Sequence, residues 1–150
     1  MQREFCSFIC SRGFHHAQIR KKVFIHHRRT NHAHALAIWN DLRAHGYDVF
    51  MDDDPIHPSA FDQTIHAQIL VRAHFLVILT PSALDYAQDP NDWFRRGIDL
   101  ARTHQRHIIP VLLEGFSWDD IRPHLPQALH PLETYPTHYI SLASFEMSQE

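Results

Sequence analysis

The residues HFLVILT (74–80) are the most hydrophobic short segment of this 150-residue chain. The segment is an unbroken apolar run that ends at Thr80-Pro81, and it is too short for a buried helix of ordinary length. A continuous run of this kind is typical of a strand that is covered on both faces, as strands of parallel sheets are. We therefore predict a central buried strand here, and the rest of the fold is built around it.

Similar short apolar runs alternate with helical patterns on both sides of this strand. Helices are predicted from Asn31 to Gly46 with Ala35, Leu36, Trp39 and Leu42 inward, from Ser59 to about Arg72, and over 92–101. Thr80-Pro81 and Asp89-Pro90 both resemble helix starts, and 116–136 suits one short helical turn. Further strands are predicted at 22–27, 47–51, 107–113 and 137–142.

Strands separated by helices pair in parallel through right-handed crossovers. We predict a flavodoxin-like three-layer α/β sandwich with about five short parallel strands, an extension at 1–21, the domain at 22–142 and a tail at 143–150.

Composition excludes several classes of function. A net charge of −3 gives no electrostatic reason to bind nucleic acid. No window of about eighteen apolar residues exists, so we expect no membrane span. Cys6 and Cys10 are the only cysteines and suit two free thiols of a cytoplasmic protein. Fifteen histidines suggest a metal site, but His26 and His27 point to opposite faces of a strand, so we predict none.

Ligands of open α/β sheets bind beyond the carboxyl ends of the strands. Those ends are here predicted at 26–29, 52–54 and 80–81. Arg28 and Arg29 lie where a strand end meets a helix start, which is a natural position for a phosphate group. The alternative is that both arginines are simply solvated.

Five segments resemble, in order, the sequence boxes of a TIR (Toll/interleukin-1 receptor) domain of the bacterial type. The first resembles the V-F-I-S-Y-R-R box, and the second has its Gly-Tyr-x-Val-Phe and an acid-rich loop. The five are KVFIHHRRTN (22–31), LRAHGYDVFMDDDPI (42–56), VRAHFLVILTPSAL (71–84), DWFRRGIDLA (92–101) and IIPVLLEGF (108–116). The resemblance covers nearly all of 22–142.

The resemblance implies two alternative functions. Many TIR domains associate with other TIR domains through the loop after the second strand, and others cleave the nicotinamide–ribose bond of NAD or make cyclised ADP-ribose. In the enzymes a glutamate follows the tryptophan of the D-W helix by four residues. That tryptophan is Trp93 here, and the catalytic position is occupied by Gly97.

Glycine cannot supply the anion that would stabilise an oxocarbenium-like centre. Residues 5–113 contain no glutamate, and neither Asp92 nor Asp99 shares the helix face of Gly97. Asp52, Asp53 and Asp54 are the remaining substitutes that could reach the pocket. The first-strand box also has His26-His27 in place of Ser-Tyr, and residues 55–61 lack the glycine of the usual loop.

We therefore expect a cytoplasmic pseudoenzyme, a homo-oligomer acting in signalling or antiphage defence by TIR–TIR association and requiring no cofactor. The alternatives are an NAD(P)+ glycohydrolase or ADP-ribose cyclase using a substitute acid, and a TIR domain that binds NAD without cleaving it. If the pocket is otherwise intact, Gly97→Glu should restore nicotinamide release. The candidate nucleotide-binding residues are His27, Arg28, Asp52 and Trp93, and the candidate interaction loop comprises Asp54, Pro55, Ile56, His57 and Pro58.

Overall fold

The structure is a computed structural model that describes residues 21–51 and 58–140, with side chains from 63 onward in the second range. Its strands are β1 (Lys22–His26), β2 (Asp48–Met51), β3 (His74–Leu79), β4 (His107–Leu113) and β5 (His138–Ile140). Its α-helices are α1 (His32–Ala44), α2 (Pro58–Leu70), α3 (Trp93–Thr103) and the short α4 (Trp118–Ile121). Short 3-10 helices cover Arg29–Asn31, Arg122–His124 and Gln127–Thr134.

The five strands form one parallel sheet in the order β2-β1-β3-β4-β5. Alternate residues of β3 enter opposite cores: Phe75 and Val77 belong to one cluster, and Leu76 and Ile78 to the other. One cluster includes the inner face of α1, and the other includes α2 and α3. The predicted three-layer α/β sandwich is thereby confirmed, with HFLVILT as its central strand.

Several local expectations were wrong. Leu36, predicted as a core residue of the first helix, is 40% exposed, and Ile38 is buried beside Ala35 instead. Residues 80–91 form successive turns, so neither proline in them starts a helix. The helix that follows begins at Trp93 and is capped by Asp92, whose carboxylate accepts a hydrogen bond from the Arg95 backbone N–H.

Two further details differ from the expectation, the start of α1 and the segment 116–136. Asn31 does not cap α1 with its side chain; its amide donates instead to the Thr80 hydroxyl, which joins the end of β1 to the end of β3. The 116–136 segment contains α4 and two 3-10 helices where one helical turn was expected. Within the described residues, no helix is long and apolar enough to cross a bilayer.

Candidate functional site

The candidate site lies at the carboxyl end of β1, where the first turns of α3 pack against the sheet. His26 is the last residue of β1 and is 2% exposed. Trp93 and Gly97 stand four residues apart in α3 and therefore on one side of that helix. The fold thus brings the first and fourth TIR-like segments together at the predicted edge of the sheet.

Gly97 is buried directly against the imidazole of His26. A Cβ atom built on Gly97 would lie 2.5 Å from Cε1 and 2.6 Å from Nε2 of that ring, closer than non-bonded atoms approach in real structures. The backbone of Gly97 is ordinary right-handed helix, so its conformation does not demand glycine. The space does, because the histidine ring occupies the volume in which any side chain would begin.

His26 is held firmly in that volume. Its Nε2 lies 2.8 Å from the Phe94 carbonyl oxygen, and since a carbonyl can only accept, Nε2 carries the proton and donates it. The ring stacks on the Phe94 ring at 4.6 Å with 10° between the planes, and meets the Trp93 ring edge-on at 5.3 Å. The imidazole is therefore part of an aromatic core.

Burial lowers the pKa of His26 to about 3 from an ordinary value of 6.5, although the hydrogen bond to Phe94 opposes this shift. The ring is consequently neutral in the folded protein at physiological pH. Neighbouring positive charge on Arg28 lowers the pKa further. A neutral histidine that donates to a carbonyl contributes a hydrogen bond and packing, but no charge.

The stability of the fold should depend on pH through this residue. An unfolded chain protonates His26 near pH 6.5 and the folded protein only near pH 3, so unfolding takes up a proton between these values. The free energy of unfolding should then fall as pH is lowered below 6.5, by up to about 1.4 kcal/mol per pH unit from this group. Urea unfolding at several pH values between 7 and 4.5 measures this dependence of the free energy of unfolding on pH.

The control for this experiment is His26→Asn, which cannot titrate but keeps an N–H donor for the Phe94 carbonyl. All other histidines and carboxylates are common to the two proteins. The variant should lose less stability on acidification than the native protein does. Equal slopes of stability against pH would mean that His26 is not buried in its neutral form.

Arg28, a candidate phosphate ligand, is engaged within the molecule. Its Nη1 and Nη2 each donate to one carboxylate oxygen of Asp92 at 2.7 Å, and its Nε donates to the Ala83 carbonyl at 2.7 Å. The two side chains are only 13% and 7% exposed. The guanidinium also lies 4.6 Å from the centre of the Phe94 ring. This clamp joins the segment after β1 to the 80–91 turns and to Asp92, the N-cap of α3.

Of the other three predicted nucleotide-binding residues, two are described by the structure. Trp93 is partly buried and contacts the site through His26. His27 is also buried, and its ring lies 5.6 Å from that of His32. Asp52 lies outside the described residues.

The predicted interaction loop can be placed only at its end. Asp54, Pro55, Ile56 and His57 lie outside the described residues, and Pro58 is the first residue of α2. Over the described ranges, no three histidine, cysteine or acidic side chains are grouped as a metal site would need.

Sequence reasoning missed the pairing of His26 with Gly97. It noted both departures from the TIR pattern, a large residue where serine is usual and the smallest one where glutamate is usual, but treated them separately. The signal in the sequence was that one position gains side-chain volume relative to the TIR pattern while the other loses it. Only the docking of α3 on β1 shows that they meet.

A model of the TIR domain family matches residues 23–147. Among curated proteins, the chain is 32% identical over 117 residues to the NAD(+) hydrolase tir-1 of Caenorhabditis elegans, covering 75% of this chain and 12% of that protein. It is 29% identical over 103 residues to the NAD(+) hydrolase sarm1 of Drosophila melanogaster, covering 66% of this chain and 8% of that one. The chain therefore spans only about a tenth of the length of these relatives.

A solved structure with the same fold is the TIR domain of the Toll-related receptor TRR-2 from Hydra magnipapillata. It superposes with a TM-score of 0.54 at 18% identity, covering 84% of this chain and 87% of that one. This likeness is one of fold, in agreement with the family match. The chain belongs to the TIR domain family.

Proposed function

We propose that this chain is a TIR module that acts by associating with itself or with other TIR-domain proteins and does not hydrolyse NAD. The observation that carries the proposal is Gly97, which stands four residues after Trp93 and brings no carboxylate to the site. Its surroundings support the proposal, because the neutral ring of His26 fills the adjoining space.

A carboxylate is needed because loss of nicotinamide leaves a positively charged, oxocarbenium-like ribose. The two acids nearest to Gly97 along the chain are paired with arginines. Asp92 is paired with Arg28, and Asp99 lies within 4.0 Å of both Arg95 and Arg102. Asp52, Asp53 and Asp54 lie outside the described residues and remain the substitutes for the alternative hypothesis.

That alternative is an NAD(P)+ glycohydrolase or ADP-ribose cyclase, and the names of the relatives favour it. They are NAD(+) hydrolases, and the matched region is a small part of each. NAD is accordingly the substrate or ligand to test first, with no additional cofactor. The third hypothesis is a TIR domain that binds NAD without cleaving it. If Arg28 were to bind a phosphate of NAD, its guanidinium would have to release the Asp92 carboxylate.

Nicotinamide release from NAD distinguishes these hypotheses. We expect the native protein at high concentration to release no more nicotinamide than a buffer blank, because position 97 lacks the required anion. Release that is proportional to protein concentration would contradict the proposal and direct attention to residues 52–54. A rise in melting temperature with NAD, without turnover, would favour the binding hypothesis.

Association should be tested through the loop that the TIR resemblance assigns to it. Light scattering after gel filtration should show a mass that grows with protein concentration. Ile56→Asp or Pro58→Asp should return it to that of one chain, since an aspartate in an apolar contact must be desolvated. Val71→Asp is the control, an exposed apolar residue beyond α2 that is 52% accessible. A native protein of constant single-chain mass would contradict self-association.

The finer assignments from the sequence stay predictions. These are the bacterial type of the domain, a cytoplasmic location and a role in antiphage defence. The family match supports a TIR domain as such and the relatives support a connection with NAD.

A further inference from the structure

We infer that His26 and Gly97 form a reciprocal pair in which the histidine holds the family's carboxylate position closed. The His26 ring leaves no room for a side chain at position 97, and the glycine at 97 leaves the room that the ring fills. The inference rests on the proposed function only in treating position 97 as that of the family glutamate. The packing itself does not depend on that assignment.

The ring cannot easily make way for a side chain at position 97. Moving it would break the hydrogen bond from Nε2 to the Phe94 carbonyl and would separate the stacked rings of His26 and Phe94. The centre of the Phe75 ring lies 5.2 Å from that of the His26 ring, and Phe75 is itself fully buried. Close-packed protein cores do not absorb an added carbon atom without strain.

The consequence is that one substitution cannot reopen the site. Even alanine at 97 would place its Cβ against the ring, and glutamate would add two further carbon atoms and a charged carboxylate beyond that Cβ. Removal of the ring alone would leave a void beside a residue that has no side chain. A functional carboxylate at 97 thus requires a smaller residue at 26.

The test is a double-mutant cycle on stability. In the native background, Gly97→Ala should lower the melting temperature by about 5–10 °C through overpacking. In the His26→Ala background the same change should leave the melting temperature unchanged or raise it, because alanine is the better helix former once space is available. His26→Asn, which keeps a donor for Phe94, provides a second background if the alanine variant does not fold.

His124→Ala is the matched control, since His124 is exposed and lies in a 3-10 helix rather than against Gly97. The changes in melting temperature caused by His124→Ala and by Gly97→Ala should be additive in the double variant. The inference is overturned if Gly97→Ala raises the melting temperature of the native protein, or lowers it equally in every background. Nicotinamide release by the native protein would refute the proposed function and leave this pairing standing, so the two failures are distinguishable.

Discussion

Arg28→Met is expected to lower the free energy of unfolding by about 3–5 kcal/mol, the cost of leaving a buried charge without its partner. The Asp92 carboxylate is 7% exposed and would lose both of its hydrogen bonds from the guanidinium. The Ala83 carbonyl would lose a donor as well. Methionine keeps much of the aliphatic volume, so the loss reports on charge and hydrogen bonding. Urea unfolding at neutral pH measures it.

The matched control is Arg122→Met, which removes another bidentate arginine. Arg122 bonds the Glu133 carboxylate and Asp119, but it lies on the surface with 47% of its side chain exposed. Water replaces such partners, so we expect little change. Arg28→Met combined with Asp92→Leu should recover part of the stability, since no unpaired charge would then be buried. Equal effects of the two arginine substitutions would show that the Arg28 clamp is not shielded from water.

The sheet could be predicted from the sequence because each strand is a short apolar run whose ends carry polar or turn-forming residues. β4 has the predicted bounds of 107–113, and β3 lacks only Thr80 of the predicted segment. Helix faces were harder, because α1 has apolar residues on more than one side. Leu36 and Ile38 are comparably hydrophobic, and only the direction in which α1 lies on the sheet decides that Ile38 is buried.

The candidate site shows why local patterns do not fix contacts. The sequence identified Gly97 as unusual and Arg28 as a charge at a strand end. What each residue meets depends on where α3 docks, and the residues that α3 brings are distant in the chain. Arg28 therefore appeared to be free for a phosphate, whereas Asp92 of the α3 cap neutralises it. His26 appeared to be a polar residue at the end of a strand, whereas it is a neutral core residue.

Nicotinamide release from NAD is expected from His26→Ser combined with Gly97→Glu, and from neither single variant. Glutamate restores the anion that the reaction needs, and serine, the usual residue of the first-strand box, vacates the space that the ring occupies. A positioned anion or acid is worth about 10²–10⁴ in rate, so the double variant should exceed the native background by at least two orders of magnitude. Chromatographic detection of nicotinamide at matched protein concentration is the measurement.

Two controls make this result interpretable. His26→Ser with Gly97→Gln has the same volume without the charge, so it should fold equally well and remain silent. Circular dichroism establishes folding for each protein before activity is compared. Turnover by Gly97→Glu alone, equal to that of the double variant, would mean that His26 yields its place. A folded double variant without turnover would contradict this prediction and would indicate that the departures at 55–61, which carry no glycine, disable the pocket as well. Because a side chain at position 97 would begin where the His26 ring lies, a carboxylate at 97 is expected to act only when residue 26 is made smaller.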